Sequence, residues 1–388
     1  MLAKFFSSEE TNNYKLIFPL AIPGFIAGIG LWFIPEQRAF ITRWHPWLMS
    51  LSFLFPIVLG FLWTGIPRFC AARFPSPIWK IFYILGIVLA FIAFLLDSLQ
   101  VFLGIYFVLF LGLLLWYLEL QRTKKASPFV VLAFLLFAFL SGTLGIGLRF
   151  ASFFLDLPAA AIAGGRALFP DAFFLLLITA VGSRFFGVMG GKTPPAPGSF
   201  GIWSWSASRK PLFWYALGAL SFLLLAIPPF LAPVWVRVVH FLLFLLLARE
   251  IWFLFRPGRA RGLSAFFLTA SLSLALVSPL ARAFLPIREA GGAHVLYIPL
   301  LFVLVLIVAA RVILAHGGYN LEKEQNSPLF FGAYSLAFLS LPVRLAADYY
   351  NNAPALLHAS LGLLFFAFLF WLTEIARSLF LEKSKGES

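Results

Sequence analysis

Between Trp44 and Phe69 the chain reads WHPWLMSLSFLFPIVLGFLWTGIPRF. A histidine stands at the mouth, an apolar run follows, and proline with arginine closes it. About 20 such residues, rising 1.5 Å each as a helix, cross the hydrocarbon core of a bilayer. A continuous apolar run cannot be a strand of a transmembrane barrel, whose residues alternate between lipid and lumen. The run also recurs along the whole sequence. Twelve spans can be laid down, at 14–35, 46–66, 78–96, 98–120, 128–148, 167–190, 211–232, 234–255, 263–286, 293–315, 328–349 and 354–380. Only 11% of the 388 residues are charged and 62% are hydrophobic, whereas soluble domains carry about 25% charged residues. The expected fold class is all-α: a polytopic membrane bundle of about 12 transmembrane helices, with the lipid bilayer as its partner.

The connections between spans are short, so sequence neighbours are expected to run antiparallel. The exception is 191–210, GKTPPAPGSFGIWSWSASRK, where Pro and Gly break helix and two Trp favour the headgroup level. We read one transmembrane domain over 1–388, its spans at 14–190 and 211–380 joined by this loop. Eighteen of the 29 Lys and Arg fall in the N-tail, the C-tail and the connections on their side; seven fall on the other side and four within spans. Basic residues concentrate in cytosolic loops, so both termini are expected in the cytosol. The net charge of +14 thus reports orientation and does not imply a nucleic-acid partner. The N-terminus lacks a small-residue cleavage site and reads as a cytosolic tail. One cysteine, Cys70, excludes a disulfide framework or a cysteine metal cluster.

Five histidines remain to be explained. With this topology His45 opens the second span and His294 the tenth, while His240 and His358 lie about a turn into the eighth and twelfth. Four helices therefore place an imidazole at similar depth on the outer side. Facing imidazoles are a common way to hold haem iron or copper within a helical bundle. Equally, a histidine near a helix end is often only a polar group at the interface. His316 ends the tenth span on the cytosolic side, roughly 33 Å along a straight helix from His294, so those two cannot serve one metal. Charges within spans are costly and usually face the interior. Arg344 and Asp348, spaced i, i+4, can pair; Arg344 could also meet a propionate, as could Arg166. Arg184 and Arg311 lie toward cytosolic ends, where snorkelling to headgroups accounts for them. No phosphate loop and no nucleophile–His–acid set is legible, so the sequence assigns no reaction.

Three stretches carry a family resemblance. Trp44-His45 with Met49 and then GFLWTGIPRF (60–69) is similar to the WHxHEM stretch of the NnrS family and the span that follows it. GGRALFPDAFFLLLITAVGSRFFGVMGGK (164–192) is similar to its Gly-Arg helix, with Arg184-Phe185-Phe186 at the end motif. AHVLYIPLLFVLVLIVAARVILAHGG (293–318) is similar to its span from a histidine to an Arg…His-x-Gly end, giving His294, Arg311, His316 and Gly318. The resemblance covers essentially the whole chain. It implies a bacterial inner-membrane protein containing haem and copper and tied to the response to nitric oxide. His45 and His294 are then the first metal-ligand candidates, His240 and His358 the next, and Arg344 and Arg166 the propionate partners. Trp47 and Leu48 stand where the family has a second His and a Glu, and neither side chain can ligate metal; copper is therefore expected to be weak or missing. The alternatives are a metal-free transporter of a small anionic solute using Arg184 and Arg311, and a structural membrane assembly partner.

Overall fold

The computed structural model of the chain describes residues 13–34, 38–189, 211–227, 234–252, 254, 262–284, 289–317, 319, 321–350 and 353–381. Among them all regular structure is helical. Six helices long and apolar enough to cross a membrane come first: α1 (Tyr14–Phe33), α2 (Ala39–Cys70), α3 (Pro77–Leu95), α4 (Leu99–Thr123), α5 (Phe129–Ala151) and α6 (Ala159–Arg184). Three shorter apolar helices follow: α7 (Pro211–Leu225), α8 (Val238–Arg249) and α9 (Leu263–Ser278). Then come α10 (Gly292–Gly317), the short α11 (Glu322–Asn326), α12 (Pro328–Tyr349) and α13 (Pro354–Ser378). Nine described helices thus meet the length and hydropathy of a membrane span. The seventh, eighth and ninth expected spans correspond to the three shorter ones, and the loop at 191–210 lies outside the described residues.

The chain forms two compact units. The first holds α2–α7 and most of α1. The second holds α8–α13 together with the last turn of α1. In lipid no hydrophobic force drives helix against helix, so close packing depends on small residues. In the first unit α1 meets α2 this way: a Cβ built on Gly24 would lie 2.3 Å from the backbone of Ser52, and one on Gly28 would lie 2.7 Å from the Met49 sulfur. Likewise, Gly145 of α5 lets the backbone of Phe169 of α6 come close, at 2.7 Å from a hypothetical Cβ. Polar side chains add hydrogen bonds between neighbours. The Tyr83 hydroxyl of α3 donates to the Leu109 carbonyl of α4 at 2.8 Å, and the Trp79 indole donates to Glu119 at 2.7 Å.

The second unit is built on the antiparallel pair α12–α13. Gly332 admits the Phe370 ring, and the Ser360 hydroxyl donates to the Ser340 carbonyl at 3.0 Å. Trp371 ties α13 to α10, its indole donating to the Leu306 carbonyl at 3.0 Å. In each unit one helix is almost wholly enclosed: α2 in the first and α10 in the second.

Candidate functional site

Those two central helices share an irregularity. Seven residues of α2, Leu48–Leu54, and seven of α10, Tyr297–Val303, are wound as π-helix. His45 and His294 each stand three residues before the segment begins. In α6 the helix is instead broken just after Arg166: Phe169 is extended, φ −132° and ψ 124°, and its bond to Pro170 is cis. π-Helix is rare and gathers at functional sites. The local cause is proline, which lacks the N–H that the helical ladder needs. Pro56 follows the first segment, Pro299 lies inside the second, and Pro170 stands at the break in α6. In the first segment the Phe55 N–H bonds the Ser50 carbonyl, five residues back. The next carbonyl in that register, Leu51, would need the N–H that Pro56 lacks. The Tyr106 hydroxyl of α4 donates to it instead, at 2.9 Å.

His45 is half-buried in the last regular turn before this segment. Its Nδ1 lies 2.8 Å from the carbonyl oxygen of Gly28. A carbonyl only accepts, so Nδ1 carries the proton and the lone pair resides on Nε2. This is the second-sphere arrangement that orients a metal-binding imidazole and raises its basicity. Gly28 can serve because, lacking a side chain, it lets α1 approach. The turn itself is anchored from the helix connection beyond α3: the Trp44 indole donates to Asp97 at 2.7 Å, and Arg43 forms an ion pair with the same carboxylate. The Trp44 hydrogen bond, then the Arg43 partner, holds the Asp97 carboxyl below the usual carboxylate range. The residues around His45 therefore fit a haem ligand: ring orientation, tautomer and backbone are all fixed.

The position of the second family histidine is different. Trp47 is buried and stacks on Phe169, ring centroids 6.3 Å apart and planes 5° from parallel. The Arg149 guanidinium stands 5.8 Å from the Trp47 ring. An aromatic stack beside a cation does not fit copper. Among the described residues, no three His, Cys, Asp or Glu side chains converge as a metal cluster.

In the second unit the other histidines have distinct surroundings. His294 is half-buried, its ring edge-on to Tyr297 at 6.2 Å. His240 is buried within α8, at 4% exposure. His358 is exposed on the first turn of α13; its Nε2–H donates to the Trp32 carbonyl at 3.0 Å and its ring stacks on Phe33. His316 donates through Nδ1–H to the Val312 carbonyl of its own helix, at 3.0 Å. Arg344 is buried and pairs with Asp348 at 2.5 Å, as the i, i+4 spacing predicts. Arg311, expected to snorkel, instead reaches Glu324 of α11 at 2.8 Å. Glu324 is fully buried, and no local spacing in the sequence announces the pair. In the first unit Arg166 and Arg184 are both exposed. The described cavity between α3 and α4, about 540 Å³, is lined by residues such as Phe82, Leu89, Val108 and Phe150 and by no histidine.

Residues 12–383 match the family model described as NnrS protein. No curated protein and no solved structure matches the chain.

Proposed function

The chain belongs to the NnrS family, and from that premise we propose that it is a haem-binding protein of the bacterial inner membrane, acting in the response to nitric oxide. The observation that carries this reading is His45. Its Nδ1–H is held by the Gly28 carbonyl at 2.8 Å, at the edge of a π segment on the enclosed helix of its unit. That leaves Nε2 as the ligating nitrogen. His294, at the same offset from its own π segment on α10, is the counterpart in the second unit, and buried His240 is the next candidate. Haem would supply an iron able to bind nitric oxide. The protein's part is to orient imidazole and keep water out of an apolar surrounding. Copper is not part of this proposal, because Trp47 and Arg149 occupy the place where the family has its second histidine. We propose twelve crossings in a single transmembrane domain, the three shorter helices included, with both termini cytosolic.

The alternative of an anion transporter places Arg184 and Arg311 in its path; Arg311 is paired with Glu324 at 2.8 Å, and Arg184 is exposed. A purified full-length chain from haem-replete cells is expected to show a visible absorption band that shifts when nitric oxide is added to the reduced protein. His45→Ala is expected to lose or displace that band; His294→Ala and His240→Ala rank the remaining ligands. A colourless protein, or an unaltered band in His45→Ala, refutes the assignment. Cysteines placed at Ser8 and Ser384 should resist an impermeant label until the membrane is opened; labelling in intact cells would reverse the topology.

A further inference from the structure

We propose that Glu324 is a proton-exchange site of the second unit, with the Tyr334 hydroxyl as its inward partner. The short helix α11 sits in the connection between α10 and α12 and packs against α9, α10 and α12. It turns Glu324 fully inward while Glu322 faces outward. One carboxylate oxygen, Oε2, accepts a hydrogen bond from Arg311 at 2.8 Å. The other, Oε1, is buried and has no hydrogen-bond partner among the described residues. Tyr334 of α12 is also fully buried, its hydroxyl is likewise without a partner among the described residues, and it lies close enough to feel the charge on Glu324.

Buried polar atoms are nearly always bonded. Here an acid is enclosed with one oxygen open, beside an open phenol. Those are the parts of a group that changes protonation state: ionised, it holds Arg311; protonated, its new O–H is a donor for a neighbouring acceptor. Burial, opposed by the Arg311 hydrogen bond and charge and by the nearby Ser264 hydroxyl, lifts the Glu324 carboxyl above the usual range. The groups facing it are few. α10 contributes Arg311, with His316 in its last turn; α9 contributes the Ser264 hydroxyl, which donates to the Glu324 backbone carbonyl at 2.9 Å; α12 contributes Tyr334. On α11 itself the charged neighbours are Glu322 and Lys323. Beyond Tyr334 the buried face of α12 continues through Ser340 to Arg344 and Asp348. That is a polar line of roughly 21 Å at 1.5 Å per residue, on a helix that could have been apolar throughout.

Difference infrared spectroscopy of the full-length chain in lipid, acid against alkaline, tests this without requiring haem, so its outcome is independent of the haem assignment. The expected result is a protonated-carboxyl carbonyl band that fades as pH rises above the usual glutamate range. It should be lost in Glu324→Gln and displaced in Tyr334→Phe. Glu324→Asp, which keeps the carboxyl, should move the band and serves if the Gln variant does not fold. Absence of any band that responds to these substitutions would make Glu324 a permanently ionised structural partner of Arg311 and overturn the proposal. A band lost in Glu324→Gln but unmoved in Tyr334→Phe would overturn the role given to Tyr334.

Discussion

Gly24→Ala tests the contact on which His45 depends. The added methyl carbon would lie 2.3 Å from the carbonyl carbon and oxygen of Ser52. Both are backbone atoms of the π segment and cannot rotate aside. Restoring ordinary contact requires α1 to retreat by about 1 Å. Gly28 is one helical turn further along α1, so its carbonyl retreats as well. The His45–Gly28 hydrogen bond, 2.8 Å in the structure, would then stretch beyond the range in which such a bond exists. Overpacking costs about 1–3 kcal/mol and a lost hydrogen bond about 0.5–1.5 kcal/mol. The expected destabilisation is therefore on the order of 2–4 kcal/mol, accompanied by a changed haem spectrum as His45 loses its orientation. Gly30→Ala, on the same helix, is the control: nothing lies within 4 Å of its added carbon, and alanine favours helix by up to about 1 kcal/mol. Thermal unfolding in detergent, read with the visible spectrum, distinguishes the two. If Gly24→Ala unfolds at the wild-type temperature, α1 does not lie on the π segment and the argument for His45 fails.

Ala71 ends α2 in the left-handed region, φ 46°, where a side chain costs about 1–2 kcal/mol relative to glycine; Ala71→Gly should raise the unfolding temperature, and a lowered one would deny that strain. Arg311→Ala should destabilise by about 3–5 kcal/mol once Glu324 is ionised. Because burial raises the Glu324 carboxyl, its folded form binds protons more readily than the unfolded chain, so stability falls as pH rises through that window. Removing Arg311 raises the carboxyl further, and the penalty should shrink on acidification; a penalty independent of pH would contradict the buried pair. Metal analysis of purified protein should find iron with haem and little copper; stoichiometric copper would mean that residues other than Trp47 and Leu48 have replaced the lost ligands.

The helical membrane fold was legible because bilayer thickness imposes it: runs of some twenty apolar residues have few other uses, and the nine long helices fall where such runs were laid. The π segments were not anticipated, although a signal was present. Pro56 and Pro299 stand 11 and 5 residues after His45 and His294, and a proline within an apolar run must disturb the ladder somewhere. Whether the disturbance becomes a kink or a π turn depends on a partner from elsewhere in the fold, such as Tyr106, and sequence spacing does not show that. The same limit applied to Arg311. Its partner is thirteen residues away across a loop, so no i, i+4 pattern marks it, whereas Arg344–Asp348 could be read directly. Gly24 and Gly28 are spaced as small residues at a helix contact are, a signal that the reading of the histidines did not use.

Trp47 shows how a departure from a family pattern becomes interpretable once its neighbours are known. From the sequence alone, an indole in place of a ligand says only that a metal bond is missing. The structure supplies what occupies the place: Phe169 lies parallel to the ring on one contact, and Arg149 stands near it on another. The stack contributes about 0.5–1.5 kcal/mol beyond simple burial, and the cation–π contact roughly another 0.5–2 kcal/mol when desolvated. A reversal at one position, Trp47→His, would remove both contacts and place an imidazole beside a guanidinium. The Arg149 charge would oppose a cupric ion there and disfavour the protonated imidazole as well. Restoring the second site would therefore require removing Arg149 along with Trp47. The two residues act together, and together they separate the question of copper from the question of haem at His45, whose anchors are Gly28, Trp44 and Asp97.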